Sequence, residues 1–160
     1  MSASTIRTIQ NAIAVLYPNI SLPHSLGTIT ALNREPDGEF VALPAVVVYR
    51  QPTDSIQRHS AGGYIVEREF VARLYVAKIS NSNPLPSVDE TLLDNVADCV
   101  EVVEDYFNIT DNRLNKTAHV LESLIVGDTG DYRMQLVSTT KNTNLYAGIG
   151  FRHRVRYSRW

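Results

Sequence analysis

Apolar residues recur along this chain with two different periods, and the places where the period changes mark its elements. Ile6, Ile9, Ile13 and Leu16 fall at helical spacing behind a Ser/Thr-rich start, with Pro18 just beyond, which predicts an amphipathic helix over residues 4–17. Residues 19–44 carry Pro23, Gly27, Pro36, Gly38 and Pro44 with little periodicity, and read as a loop or a frayed edge strand. The run AVVVYRQ at 45–51 is rich in β-branched residues and predicts a strand. Residues 52–63, ending in Ala61-Gly62-Gly63, read as a connection.

From Tyr64 to Ile79 the period is two, with Phe70, Ala72, Leu74 and Val76 on one side and Glu67, Glu69 and Arg73 on the other. This is a long strand with one buried face, expected to pair antiparallel with 45–51. After a polar, proline-rich break, Ser87-Val88-Asp89-Glu90 fits a capping box, so a helix should begin at Val88. Leu92, Val96, Cys99, Val103 and Tyr106 or Phe107 then form a stripe that must lie on the sheet. Strands follow at 119–126 and 132–139, separated by a hairpin-type turn at Gly127-Asp128-Thr129-Gly130. A second polar turn at 141–144 leads into a final strand from Leu145 to about Ser158. There Ile149, Phe151, Val155 and Tyr157 share one face, and Gly148, Gly150, Arg152, Arg154 and Arg156 share the other.

The resulting order predicts one α+β domain, with an antiparallel or mixed sheet of about four to six strands and two main helices packed on one face. A length of 160 residues suits one domain, and 44% hydrophobic with 20% charged residues is ordinary globular composition. No stretch is long and apolar enough to span a membrane. The first residues lack the continuous apolar core of an export signal, so a cytoplasmic site of synthesis is expected. The single cysteine, Cys99, lies in the apolar stripe and reads as a small buried hydrophobe.

Candidate chemistry is sparse. His24, His59, His119 and His153 show no metal-ligand spacing, no Gly-x-Ser-x-Gly turn occurs, and the glycines build no phosphate loop, so neither a cofactor nor an enzymatic activity is expected. An enzyme acting through Asp or Glu would have no pair of carboxylates singled out for it.

Charge distribution carries more. The second helix bears Asp89, Glu90, Asp94, Asp98, Glu101, Glu104 and Asp105 without one Lys or Arg among them. A solvated face explains most of these, but an isolated helix usually mixes signs, so the one-sidedness suggests a basic partner. Residues 141–160 contain Lys141, Arg152, Arg154, Arg156 and Arg159 and no acid. Strand alternation aligns Arg152, Arg154 and Arg156 about 7 Å apart on one face. That line admits three readings: a solvent face, a surface for an acidic neighbour such as the second helix of another copy, or contact with nucleic acid phosphates. The last defines an alternative function, a nucleic-acid-binding module in which Tyr157 and Trp160 stack on bases.

With these elements in place the chain resembles the head–tail joining proteins of long-tailed bacteriophages, most of all the tail terminator or tail completion group. The resemblance rests on the opening helix, the Pro44-Ala45-Val46-Val47-Val48-Tyr49 strand, the strand 64–79, the capped helix 87–107 and the closing Tyr146-Ala147-Gly148-Ile149-Gly150-Phe151-Arg152-His153-Arg154-Val155. It implies a virion protein of the tail neck forming a homo-oligomeric, hexameric ring. Such a ring caps the tail tube, ends its polymerisation and presents a surface to the head connector, with DNA passing through the channel without sequence specificity. Subunit or channel contacts would then fall to Arg152, Arg154 and Arg156 and to Asp94, Asp98 and Glu101. Ring-to-ring contacts would fall to Gln57, Arg58 and His59 and to Asp128 and Asp131.

Overall fold

A computed structural model of the chain describes residues 4–58, 62–79, 86–137 and 143–159. Two helices, α1 (Thr5–Leu16) and α2 (Pro86–Asp105), cover one face of a mixed sheet formed by β1 (Thr30–Leu32), β2 (Ala45–Arg58), β3 (Tyr64–Ile79), β4 (Val120–Asp128), β5 (Arg133–Val137) and β6 (Thr143–Arg159). The α+β reading holds in class, helix number and layering.

Helix α1 starts where Ser4 accepts a hydrogen bond from the Arg7 amide at 3.2 Å. It buries Ile9, Ile13 and Leu16 against β2 and β3, with Tyr17 in the following turn. A helix this short is marginal alone in water. Each fully buried large side chain adds roughly 1.5–3 kcal/mol, so packing rather than propensity holds it in place. Helix α2 lies over β6 and β3 and buries Val96, Cys99 and Val103, with Phe107 in a π-type turn, Tyr106–Thr110, that extends it. It begins at Pro86, two residues ahead of the expected start.

The sheet is organised on β6. On one edge β6 pairs antiparallel with β3 along nearly its full length, from Tyr64 opposite Arg159 to Ile79 opposite Leu145. On its other edge lie both β4, opposite Tyr157 to Phe151, and β5, opposite Ala147 to Thr143. Segments β4 and β5 therefore run in line along one edge, and the expected hairpin between them does not form. Residues 129–132 interrupt a single border, bridged by the Thr129 amide donating to the Gly150 carbonyl and the Gly148 amide donating to the Tyr132 carbonyl, both at 2.9 Å. The hairpin joins β5 to β6, with Val137 opposite Thr143.

One further difference from expectation concerns β2. It pairs antiparallel with β3 as expected, but continues to Arg58 through two bulges between Arg50 and Ser55, where a connection was predicted. Its start is bordered by the short parallel strand β1, an edge strand of the kind expected within residues 19–44.

The main core lies between helices and sheet, around Phe70, Leu74, Ile149, Phe151 and Val155. A second, smaller core covers one end of the opposite face, which the sequence pattern did not disclose. There residues 33–44 fold over the sheet, and Phe40 packs on Tyr75 and Tyr146 with ring centroids 4.4 and 5.2 Å away. The remainder of that face carries charged side chains.

Both borders of the sheet are obstructed in part, at β4 and at β2. Asn108, in the π-type turn, donates to the Ile125 carbonyl at 3.1 Å and accepts from its amide at 2.7 Å, so its carboxamide occupies the position of a neighbouring strand's peptide. The Asn112 carbonyl accepts the Ser123 amide at 2.7 Å. The segment is pinned by buried Leu114, which with Asn115 and Lys116 holds a left-handed turn, φ 49°, 52° and 57°. At the other border the Val48 carbonyl accepts from Gln10 at 2.6 Å, and Pro52 lacks an amide to donate.

Gly148 faces the second core: a β-carbon there would stand 2.2 Å from the Leu74 carbonyl oxygen and 2.7 Å from Met134 Cε. Replacing Gly148 with Ala is expected to destabilise the fold by about 1–3 kcal/mol, read as a lower urea midpoint at an unchanged slope.

Candidate functional site

Strand alternation sorts the side chains of β6 as expected. Ile149, Phe151, Val155 and Tyr157 are buried under the helices, while Arg154 and Arg156 are exposed on the opposite, open face and Arg152 is half-buried there. The neighbours of these arginines across the ladder could not be read from one strand alone. In register, β3 sets Glu69 opposite Arg154 and Glu67 opposite Arg156, and β4 sets Glu122 opposite Arg156. Arg152 reaches diagonally to Glu69 as a two-point contact, Nε to Oε1 at 2.6 Å and Nη2 to Oε2 at 3.2 Å. Arg154 stands 3.8 Å from the same carboxylate, which is only 14% exposed.

The ladder is thus partly compensated within its own subunit. Arg152 is committed to Glu69, Arg154 is held loosely, and Arg156 makes no ion pair with any described residue. The exposed cations of this strand face are Arg154 and Arg156, the latter between Glu67 and Glu122 in register. Further along the same face Arg73 lies over the Tyr75 ring at 5.3 Å, a cation–π contact.

The acidic counterpart lies on the other side of the molecule. Asp94, Asp98 and Glu101 are exposed on the outer surface of α2, whose apolar stripe faces the sheet. Asp98 contacts His24 Nε2 at 2.6 Å. Burial, then the neighbouring charges of Asp128, Asp105 and Glu101, raises the Glu104 carboxyl above its ordinary value. The anionic character of α2 therefore extends toward the end of β4.

Other predicted contact residues are more scattered. Gln57 and Arg58 belong to the end of β2 rather than to a loop, and His59 lies outside the described residues. Asp128 closes β4 and Asp131 lies in the interruption before β5. Their carboxylates accept the amides of Gly130 and Arg133, at 2.8 and 3.0 Å, and so serve the local turn. Tyr157 is 2% exposed on the helix side of the sheet, with Arg154 and Arg156 on the other, and it cannot stack a base beside them. Trp160 lies outside the described residues.

Sequence reasoning passed over His153, which alternation places among the apolar residues of β6. It is fully buried, its Nε2 lies 2.7 Å from the Tyr17 hydroxyl, and the rings of Phe107 and Tyr17 stand 4.6 and 5.8 Å away. Its Nδ1 and the Ser123 hydroxyl are buried with no hydrogen-bond partner among the described residues. Burial pushes the imidazole down to about 3. Cys99 is likewise buried, and burial pushes its thiol up to about 11, so it is a packed apolar group rather than a nucleophile. Among the described residues no cluster of His, Cys, Asp and Glu is arranged to hold a metal ion, and no helix is long and apolar enough to cross a membrane.

No protein-family model matches the chain, and no curated protein matches it.

The buried imidazole sets a pH dependence. In the unfolded chain it binds a proton near pH 6.5, whereas in the fold it stays neutral down to about 3. Between those values the unfolded state holds more protons, so stability rises with pH across the window and is lost as pH falls. Wild-type stability should fall by slightly more than ~1 kcal/mol per pH unit below 6.5 through this group, added to the titration of carboxylates. Urea unfolding of wild type and His153→Phe at pH 7, 6 and 5 should show a flatter profile in the variant. Parallel profiles would rule out His153 as the source.

Proposed function

We propose that the chain is a ring-forming structural subunit of a phage tail neck, a tail terminator or tail completion protein. In this reading six copies cap the tail tube, end its polymerisation and offer a surface to the head connector, while DNA passes through the opening without sequence readout.

The observation that carries the proposal is the separation of charge across the two layers. The acidic outer surface of α2 and the exposed Arg154 and Arg156 of β6 lie on opposite faces of the same domain. Two unlike patches on opposite sides suit a head-to-tail contact between identical copies, which closes into a ring when the rotation permits. Guarded sheet borders agree with contacts made through faces rather than through a shared sheet. Exposed ion pairs contribute only about 0.2–1 kcal/mol each. In such a ring charge therefore sets orientation and salt response, while the bulk of the affinity comes from buried area and contacts with the tube.

The nucleic-acid reading has less support, since Tyr157 is buried away from the arginines and Trp160 lies outside the described residues. One of its arginines is already bound to Glu69.

Light scattering over a salt series provides the test. Wild-type protein should show an assembly whose mass falls as salt rises, and Arg154→Glu/Arg156→Glu should stay at lower mass throughout, with electron micrographs of the wild type showing particles with a central hole. Equal masses for the two proteins at every salt concentration would refute the charge-directed contact.

A further inference from the structure

At the end of the sheet where β2 and β6 finish and β3 begins, the first turn of α1 stops short of covering the last side chains. A cavity of about 180 Å³ opens there. Its floor is Ile6, Val66 and Tyr157, and its wall is Ile56 and Tyr64, which are 64% and 37% exposed. Liquid water occupies roughly 30 Å³ per molecule, so the space suits one aliphatic or small aromatic side chain better than an ordered solvent cluster, given its apolar lining.

The charged groups at the rim, Arg68 and Arg159, are cationic. Arg68 donates to the Gln51 carbonyl at 2.8 Å and lies 3.4 Å from the Tyr157 hydroxyl, and Arg159 donates to the Thr5 hydroxyl at 2.7 Å. All of these partners are neutral, in contrast to the Glu69 carboxylate that meets Arg152 and Arg154. No carboxylate lines the cavity among the described residues, nor does one line the adjoining hollow bounded by Thr5, Tyr64, His119 and Arg159. Helix α1 brings no acid in its first turn. In a chain with 17 acidic residues, this is a place where apolar surface and positive charge coincide with no carboxylate among the described lining residues.

We propose that this end of the molecule binds an acidic loop of a neighbouring protein, with one apolar side chain seated between Ile56 and Tyr64 and carboxylates on Arg68 and Arg159. The inference rests on the tail-neck reading for the origin of the partner, since the loop would belong to the adjacent ring. The contact itself is separate from the face-to-face contact between copies. It also replaces the expected loop contact at Gln57 and Arg58 with a groove beside them. Charge complementarity selects the partner's sign, and the cavity volume limits it to a single anchoring side chain.

The test uses the full chain and a short fluorescent peptide carrying one phenylalanine between glutamates, followed by anisotropy at low salt. Saturable binding is expected. It should weaken at least about tenfold in Arg159→Glu and in Ile56→Glu, and be lost when lysines replace the peptide's glutamates. Both substituted residues reach solvent, and retention of the wild-type urea midpoint checks that the variants fold. Absence of saturable binding, equal binding of the lysine peptide, or binding unchanged in either variant would overturn the proposal. Light scattering separates this from the ring reading: Ile56→Glu should assemble as wild type does, and Arg154→Glu/Arg156→Glu should bind the peptide normally. If no ring forms while the peptide still binds as described, the groove stands and the tail-neck assignment falls.

Discussion

The register between β3 and β6 is the constraint from which the rest of the molecule follows. Side chains alternate with a period of two, so a slip of one residue would bury Arg152, Arg154 and Arg156 under the helices and expose Ile149, Phe151 and Val155. The cost of burying unpaired guanidinium groups makes that slip prohibitive. Gly148 holds the same register from the other side, since the approach to Leu74 leaves no room for a side chain. With β3 on one edge and β4 and β5 in line on the other, β6 sets the helix-covered face, the open face and the second core together.

Elements with one buried face were legible in the sequence, because burial imposes a period that survives without knowledge of the partner. Helix α1, strand β3, the stripe of α2 and the two faces of β6 belong to this class. Features set by distant neighbours were not legible. Gly127-Asp128-Thr129-Gly130 satisfies the local grammar of a hairpin turn, yet the segments beside it each pair with β6 and the glycines merely accommodate a break in one border. The polar residues Pro52 to Ser55 hide the extension of β2, since a bulged strand at the edge of the sheet need not alternate. The cover of residues 33–44 has no period, and only the meeting of Phe40 with Tyr75 and Tyr146 explains it.

Candidate contacts divide in the same way. Which arginines share a face follows from alternation within β6, but how far each is compensated depends on Glu69, Glu67 and Glu122 from other strands. Glu69 binds Arg152 closely and Arg154 loosely, and leaves Arg156 outside its reach. The groove at the far end was invisible for a related reason. Ile56, Tyr64 and Ile6 come from three elements, and each taken alone is an ordinary apolar residue.

The carboxamide of Asn108 has a consequence for what the sheet's border offers to other chains. Sheets meeting at high concentration tend to zip along free borders into fibres that never close. A side chain that imitates one peptide link at Ile125, at the cost of a single residue, withholds the template such growth requires. A strand arriving from outside finds that link already taken.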